Sequence, residues 1–253
     1  MTYEPTLPPE HVERIRRWHE RAYAAARAEA GDDGRTFHHL GLTLHVPPQV
    51  QPIAGMSHPL GEAVLAEVRD GDRVLDMGTG CGVNAILAAS RSRDVVAVDV
   101  NPHAVEAARG NAARNGVADR VTVLESDVFA AVEGDFDLIV FDPPFRWFAP
   151  RDLLERATTD TGYAALTRFF RDVRGYLRPG GRVLLFFGTT GDLPYVRRLV
   201  GEAGFAAAEV SREELVRDGW RVEYVTFRLT RDATRPQGDR AGGVGDGCAE
   251  GSG

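Results

Sequence analysis

Four acids, each set where an apolar run gives way to turn-forming residues, carry the chemistry this chain can do. Asp76 opens the run Asp76-Met77-Gly78-Thr79-Gly80-Cys81-Gly82, whose three glycines let backbone come close to a ligand. Arg73 to Met77 before it reads as a strand, and Val83 to Ala89 after it opens a helix, whose start favours a ligand carboxylate or hydroxyl. That is a nucleotide-type cofactor site. A dinucleotide fingerprint would place its third glycine at position 83, where this chain has Val83, so NAD is disfavoured. Asp99 ends the next strand, about twenty residues on, where a carboxylate can accept two hydrogen bonds from a ribose diol. Capping of the following helix falls more naturally to Asn101, with Pro102 as first helical residue.

Asp127 follows the third strand and has two readings: an acceptor for an adenine amino group with Val128 over the ring face, or a solvated turn. The fourth acid stands in Phe136-Asp137-Leu138-Ile139-Val140-Phe141-Asp142-Pro143-Pro144-Phe145. Two prolines fix the backbone there, so that the Asp142 side chain and the Pro143 carbonyl can face one point beside the flat ring of Phe145. Two acceptors beside an aromatic plane hold a planar amino or amide group. The competing reading is a rigid turn with a capping acid and a core ring.

The elements that must position these residues alternate. Strands are predicted at Arg73 to Met77, Val95 to Asp99, Val121 to Glu125, Leu138 to Phe141 and Arg182 to Phe187, with a helix after each except the fourth. Ala206 to Val210 and Val222 to Leu229 follow without a long helix between them and should pair antiparallel at one sheet edge. The expected fold is α/β: a Rossmann-like, doubly wound, mostly parallel seven-stranded sheet with an antiparallel edge strand. Ahead of it, His11 to Ala30 reads as an amphipathic helix packed on the outside of the domain, a cap over a substrate mouth being the alternative. Phe37 to Val46 reads as strand or hairpin, and about Leu60 to Val68 as a helix. The expected division is a lead-in over residues 1–70, the cofactor domain over 71–230, and a disordered tail over 231–253, where large apolar residues nearly vanish.

Composition removes several function classes. With 253 residues, 43% of them hydrophobic, the chain can bury one sizeable core. A net charge of -7 argues against holding nucleic acid mainly by phosphate neutralisation. All 30 basic side chains are arginine, which excludes lysine-based nucleophilic chemistry. Cys81 and Cys248 are too few for a disulfide framework or a metal cluster, and no metal is expected. The start of the chain has no signal pattern and no apolar run reaches membrane-spanning length, so a cytoplasmic location and no membrane partner are expected.

Together, Asp76-x-Gly78-x-Gly80-x-Gly82, Asp99, Asp127 and Asp142-Pro143-Pro144-Phe145 resemble the class I S-adenosylmethionine-dependent methyltransferases. The closest likeness is the Asp/Asn-Pro-Pro-aromatic group, which includes release-factor-type glutamine methyltransferases and small-domain RNA methyltransferases; it covers about Leu40 to Leu229. The resemblance implies that Asp76, Gly78, Gly80 and Gly82 hold the methionine part of S-adenosylmethionine, Asp99 the ribose, and Asp127 with Val128 the adenine. Asp142 and Pro143, beside Phe145, would orient the acceptor nitrogen. The glutamine group usually has Asn and Tyr where this chain has Asp142 and Phe145. A sulfonium methyl is already activated, so the protein has to place a nitrogen lone pair in line with it, about 3 Å away, and exclude water.

Arg146, Trp147 and Phe148 follow the proline loop, Met56 and His58 precede the first cofactor strand, and Tyr163 opens a later helix. These are the candidates for a wall around the acceptor, with ordinary packing the other reading of Trp147 and Phe148 and a helix position that of His58. Three functions follow. The favoured one is an N-methyltransferase of a small molecule or peptide. A modifier of RNA bases or protein glutamine would need a basic cluster such as Arg146, Arg151, Arg168 and Arg171. The third is a protein that binds S-adenosylmethionine without transferring its methyl group.

Overall fold

The structure, a computed structural model, describes residues 3–30, 33–217 and 219–232. The tail from residue 233 on, with Cys248, lies outside them. Helix α1 (Pro9–Ala30) leads into the hairpin of β1 (Arg35–His39) and β2 (Leu42–Val46), then helix α2 (Ser57–Glu67). Leu40 and Gly41 at the hairpin turn both have positive φ, 47° and 82°, the two-residue loop that matches strand twist.

The main sheet follows: β3 (Arg73–Met77), α3 (Val83–Ala88), β4 (Asp94–Asp99), α4 (Pro102–Arg114), β5 (Val121–Glu125), β6 (Phe136–Phe141), α5 (Leu153–Arg156), α6 (Ala164–Asp172), β7 (Leu177–Gly188), α7 (Leu193–Glu202), β8 (Phe205–Arg217) and β9 (Trp220–Arg231). Its strand order is β5-β4-β3-β6-β7-β9-β8. Strands β3 and β6 are buried almost throughout because helices cover both faces, which is why their sequences run apolar rather than alternating. Only β9 runs against its neighbours, and it lies one place in from the edge, between β7 and β8. One expected helix is missing: β5 connects to β6 through turns, held by the Ser126 hydroxyl, which donates to Val128 O and accepts from Ala131 N. Ten residues with Gly134 at φ 80° leave no room for a helix there.

Winding leaves β3 in one direction through β4 and β5, and in the other through β6 and β7, so the switch point falls between β3 and β6. A crevice opens at the carboxyl ends of these two strands. The register pairs Met77 with Phe141 and with Val98, which sets Gly78, Asp142 and Asp99 level along that edge. At ordinary strand spacing Asp99 and Asp142 stand roughly 10 Å apart across β3. The lead-in is tied on by two asparagines one helical turn apart, Asn111 in α4 and Asn115 at its C-terminal cap. Asn111 exchanges hydrogen bonds with both main-chain groups of His45 at 2.8 Å, and Asn115 does the same with Thr43. Their amides extend the β2 ladder.

Candidate active site

The glycine turn is shaped by the acids around it. Asp76, 1% exposed, accepts from the Thr79 hydroxyl at 2.6 Å and from Ala85 N–H at 3.0 Å, which seats the start of α3 on β3. Burial first, then Asp99, push its carboxyl up to about 6 against those two donors. Asp99 accepts from Gly80 N–H and Asn101 N–H, both at 2.9 Å, and burial raises its pKa as well. The cap of α4 is Asn101, which accepts from His103 N–H with Pro102 as first helical residue, as expected.

The glycines divide into two kinds. A Cβ at Gly80 would meet nothing within 4 Å, and at Gly78 only the ring edge of Phe141 at 4.0 Å. At Gly82 it would strike Ala108 Cα at 3.0 Å. Gly82 is required for packing α3 against α4, while Gly78 and Gly80 border open space beside Asp99. A nucleoside-type cofactor fits that cradle. Farther out, Asp127 pairs with Arg168 at 2.7 Å, and Val128 holds a left-handed φ of 54°, a strained conformation for a β-branched residue.

The acid of the proline loop differs from the others. Asp142 directly follows β6 at its carboxyl end, its side chain accessible yet crowded by protein on most sides. Burial and then the charge of Asp76 push its carboxyl up to about 7, opposed by Arg146. Among the described residues neither the Asp142 carboxylate nor the Pro143 carbonyl receives a hydrogen bond.

Behind them the loop is braced. Phe145 is 8% exposed and packs on Phe187, Phe186 and Tyr224, with ring centroids 4.8, 5.8 and 5.9 Å away, so it is mainly a core ring that anchors the loop rather than an open platform. Tyr163 is no part of a wall either: it is fully buried, its hydroxyl donating to Phe145 O and accepting from Asp192 N–H. Trp147 and Phe148 are half-buried beside the loop, in contact with each other at 5.2 Å. His58 sits on α2 with its ring 5.6 Å from His39 and its Nε2 3.2 Å from Glu62, and Met56 packs partly buried against the core. Neither is brought to the proline loop by a contact among the described residues.

Sequence reasoning offered α1 as a cap only as the alternative to outside packing, and gave Tyr3 and Thr6 no role on this side. The Tyr3 ring packs on Trp147, Tyr163 and Tyr195, and its hydroxyl, with the N–H and hydroxyl of Thr6, is held by the Asp192 carboxylate. Along α1, Trp18 meets Trp220, His19 bonds Glu155 at 2.7 Å, Arg16 lies over Phe148 and Tyr23 bonds Asp152. Helix α1 therefore lies across the segment that follows the proline loop. Contacts about 130 to 200 residues apart leave no local sequence signal.

Residues 60–215 match the family model described as methyltransferase small domain. A release factor glutamine methyltransferase of Cereibacter sphaeroides is 34% identical over 228 residues, 81% of this chain and 76% of that one. A ribosomal RNA small subunit methyltransferase C of Alcanivorax borkumensis is 32% identical over 159 residues, 60% of this chain; the match spans 44% of that protein's length. The crystal structure of Methanocaldococcus jannaschii Trm5 in complex with adenosine shares the fold at a TM-score of 0.59 and 16% identity, over 80% of this chain and 57% of that one. No helix among the described residues is long and apolar enough to cross a membrane. With its glycine cradle, its strand-end acids and a family match across most of the sheet, this chain belongs to the methyltransferase small domain family and is an S-adenosylmethionine-dependent methyltransferase.

Proposed function

We propose that the protein methylates an amino or amide nitrogen of a small molecule or peptide, in the cytoplasm. One observation carries this reading. Asp76, Asp99 and Asp127 all have donors of their own, while Asp142 and Pro143 present acceptors with no donor among the described residues, level with the glycine turn.

S-adenosylmethionine, when bound, supplies an electrophilic methyl group on a sulfonium. Gly78, Gly80 and Asp76 would hold its methionine end, Asp99 its ribose diol, and Asp127 with Val128 its adenine. Asp142 and Pro143 would accept the two N–H bonds of the acceptor, turning the nitrogen lone pair out of conjugation and stabilising the positive charge that develops. No strong base is required, since the nitrogen proton becomes acidic once the new bond forms. Ionised Asp142 is the better acceptor, so its carboxyl, pushed up to about 7, is half-charged near neutrality.

The two relatives are named for protein glutamine and ribosomal RNA. A surface for RNA is disfavoured by pairing: Arg151 is held by Glu155 and Glu20, Arg168 by Asp127 and Arg171 by Asp172, while Arg146 is buried. The four arginines offered as a basic cluster do not make one. Incubating the protein with methyl-labelled S-adenosylmethionine and separated small-molecule, protein and RNA fractions of a cell extract tests this. Label in the small-molecule or peptide fraction, on nitrogen, is expected; label confined to RNA would refute it.

A further inference from the structure

Arg146 follows the proline loop directly and is 7% exposed. Its main chain is occupied: the N–H donates to Thr158 O at 3.2 Å and the carbonyl accepts from Asp160 N at 2.8 Å. Its side chain is not. Among the described residues the guanidinium makes no ion pair and donates no hydrogen bond, and its Nε is enclosed without a partner. Four other arginines behave differently. Arg151, Arg168, Arg171 and the equally buried Arg182 each hold a carboxylate within 3.0 Å. The Arg146 guanidinium carbon stands 5.7 Å from the Phe145 ring centroid, and its charge reaches Asp142, Tyr163 and Tyr224.

An enclosed cation with no acceptor in direct contact, and only the charge of Asp142 at a distance, is a heavy cost to a fold, and replacing such a group by an apolar one of similar size is often stabilising. Its place directly after the acceptor loop points to a ligand that completes the pair. We propose that Arg146 binds a carboxylate of the methyl acceptor, which is then a small molecule or peptide end carrying an anionic group near the nitrogen to be methylated. This rests on the N-methyl-transfer reading above. Asp142 and Arg146 form opposite poles of one site, the first taking N–H donors and the second an anion. A planar carboxylate matches the guanidinium fork through two parallel bonds. A polynucleotide phosphate would need its sugar to follow it into an enclosed position, and a chain of net charge -7 gives such a polymer little attraction.

The test uses the full chain saturated with S-adenosylhomocysteine, titrated calorimetrically with benzoate, with its neutral counterpart benzamide, and with inorganic phosphate. Benzoate is expected to bind the wild type at least about 10-fold more tightly than benzamide, the margin of a charge-assisted pair. In Arg146→Met that preference should collapse to within about twofold. A second readout separates this from a structural role: Arg146→Met should unfold at the same or a higher temperature, because it removes an unpaired buried charge. Equal affinity of benzoate and benzamide for the wild type would overturn the proposal. So would phosphate binding more tightly than benzoate, which would assign the position to a nucleic-acid backbone, or an Arg146→Met protein that unfolds earlier or fails to fold. Failure of S-adenosylhomocysteine itself to bind would instead strike at the methyl-transfer reading.

Discussion

Replacing Asp142 by Asn keeps shape and one acceptor oxygen while removing the titration. Folding holds the Asp142 proton more tightly than an unfolded chain does, since its carboxyl moves from near 3.9 up to about 7 through burial and the charge of Asp76. A raised folded pKa means stability that is present below about pH 4 and is lost as pH climbs through about 7. Asn has no proton to lose, so the variant should gain on the wild type as pH rises. The side chain is accessible, and solvent screening reduces the gain to about 1 kcal/mol. For a chain of this length that is about 2–4 °C in Tm. Calorimetric unfolding of both proteins between pH 5 and pH 8 measures it. The margin of Asp142→Asn should widen steadily across that range and level off above pH 7. A margin that stays constant, or narrows with rising pH, would refute the account of Asp142 as a desolvated acid beside Asp76.

Other changes divide cofactor from acceptor and packing from binding. Asp142→Ala should cut turnover by about 10²–10³ while leaving S-adenosylhomocysteine affinity nearly intact, whereas Asp99→Ala, which also releases Gly80 and Asn101 N–H, should weaken that affinity; equal losses in both would sink the division. Gly82→Ala drives a Cβ to 3.0 Å from Ala108 at φ 89° and should destabilise the fold by about 1–3 kcal/mol, visible as a fall in Tm. Gly80→Ala faces open space, so its stability loss should stay near the ~1 kcal/mol cost of a left-handed alanine while calorimetry shows cofactor binding lost. Tyr163→Phe strands Phe145 O and Asp192 N–H in the interior, and a loss of about 1–3 kcal/mol in denaturant unfolding is expected.

What the sequence revealed was local or periodic. Asp76, Asp99 and Asp142 could be placed because each stands at or within one residue of the end of an apolar run of strand length, and the structure sets Asp99 and Asp142 level at one carboxyl edge with Asp76 two residues back from it. Asn101 and Pro102 marked the start of α4 for the same reason: a cap acts on its own helix. The helix expected between β5 and β6 failed because Ser126 and Gly134 favour turns more strongly than the residues between them favour a helix. Tyr163, a candidate for the wall in sequence, is a core residue because its hydroxyl reaches Phe145 and Asp192, contacts that nothing near it in sequence announces. The Asn111 and Asn115 clasp on β2 was equally hidden, since polar residues on a helix usually face solvent. The sequence puts Arg146 directly after the loop, but only three dimensions show that its buried guanidinium has no carboxylate in contact, whereas Arg151, Arg168 and Arg171 each hold one.

This asymmetry follows from how labour is divided in the molecule. The residues proposed to hold the cofactor sit at or next to consecutive strand ends, where the sheet fixes their spacing, and they fall within residues 60–215, the stretch shared with the family. The covering on the acceptor side comes from the lead-in: Tyr3 and Thr6 clamp on Asp192, and Trp18, His19 and Tyr23 of α1 reach Trp220, Glu155 and Asp152. Those contacts lie over Trp147, Phe148 and Tyr163, next to the loop that presents Asp142. A lead-in anchored by side chains rather than by a shared sheet can change without disturbing the glycine cradle. On the proposed reading, exchanging α1 and the segment after Phe145, where Arg146 stands, should change the acceptor taken while leaving S-adenosylhomocysteine affinity unchanged, and a change in that affinity would refute this division.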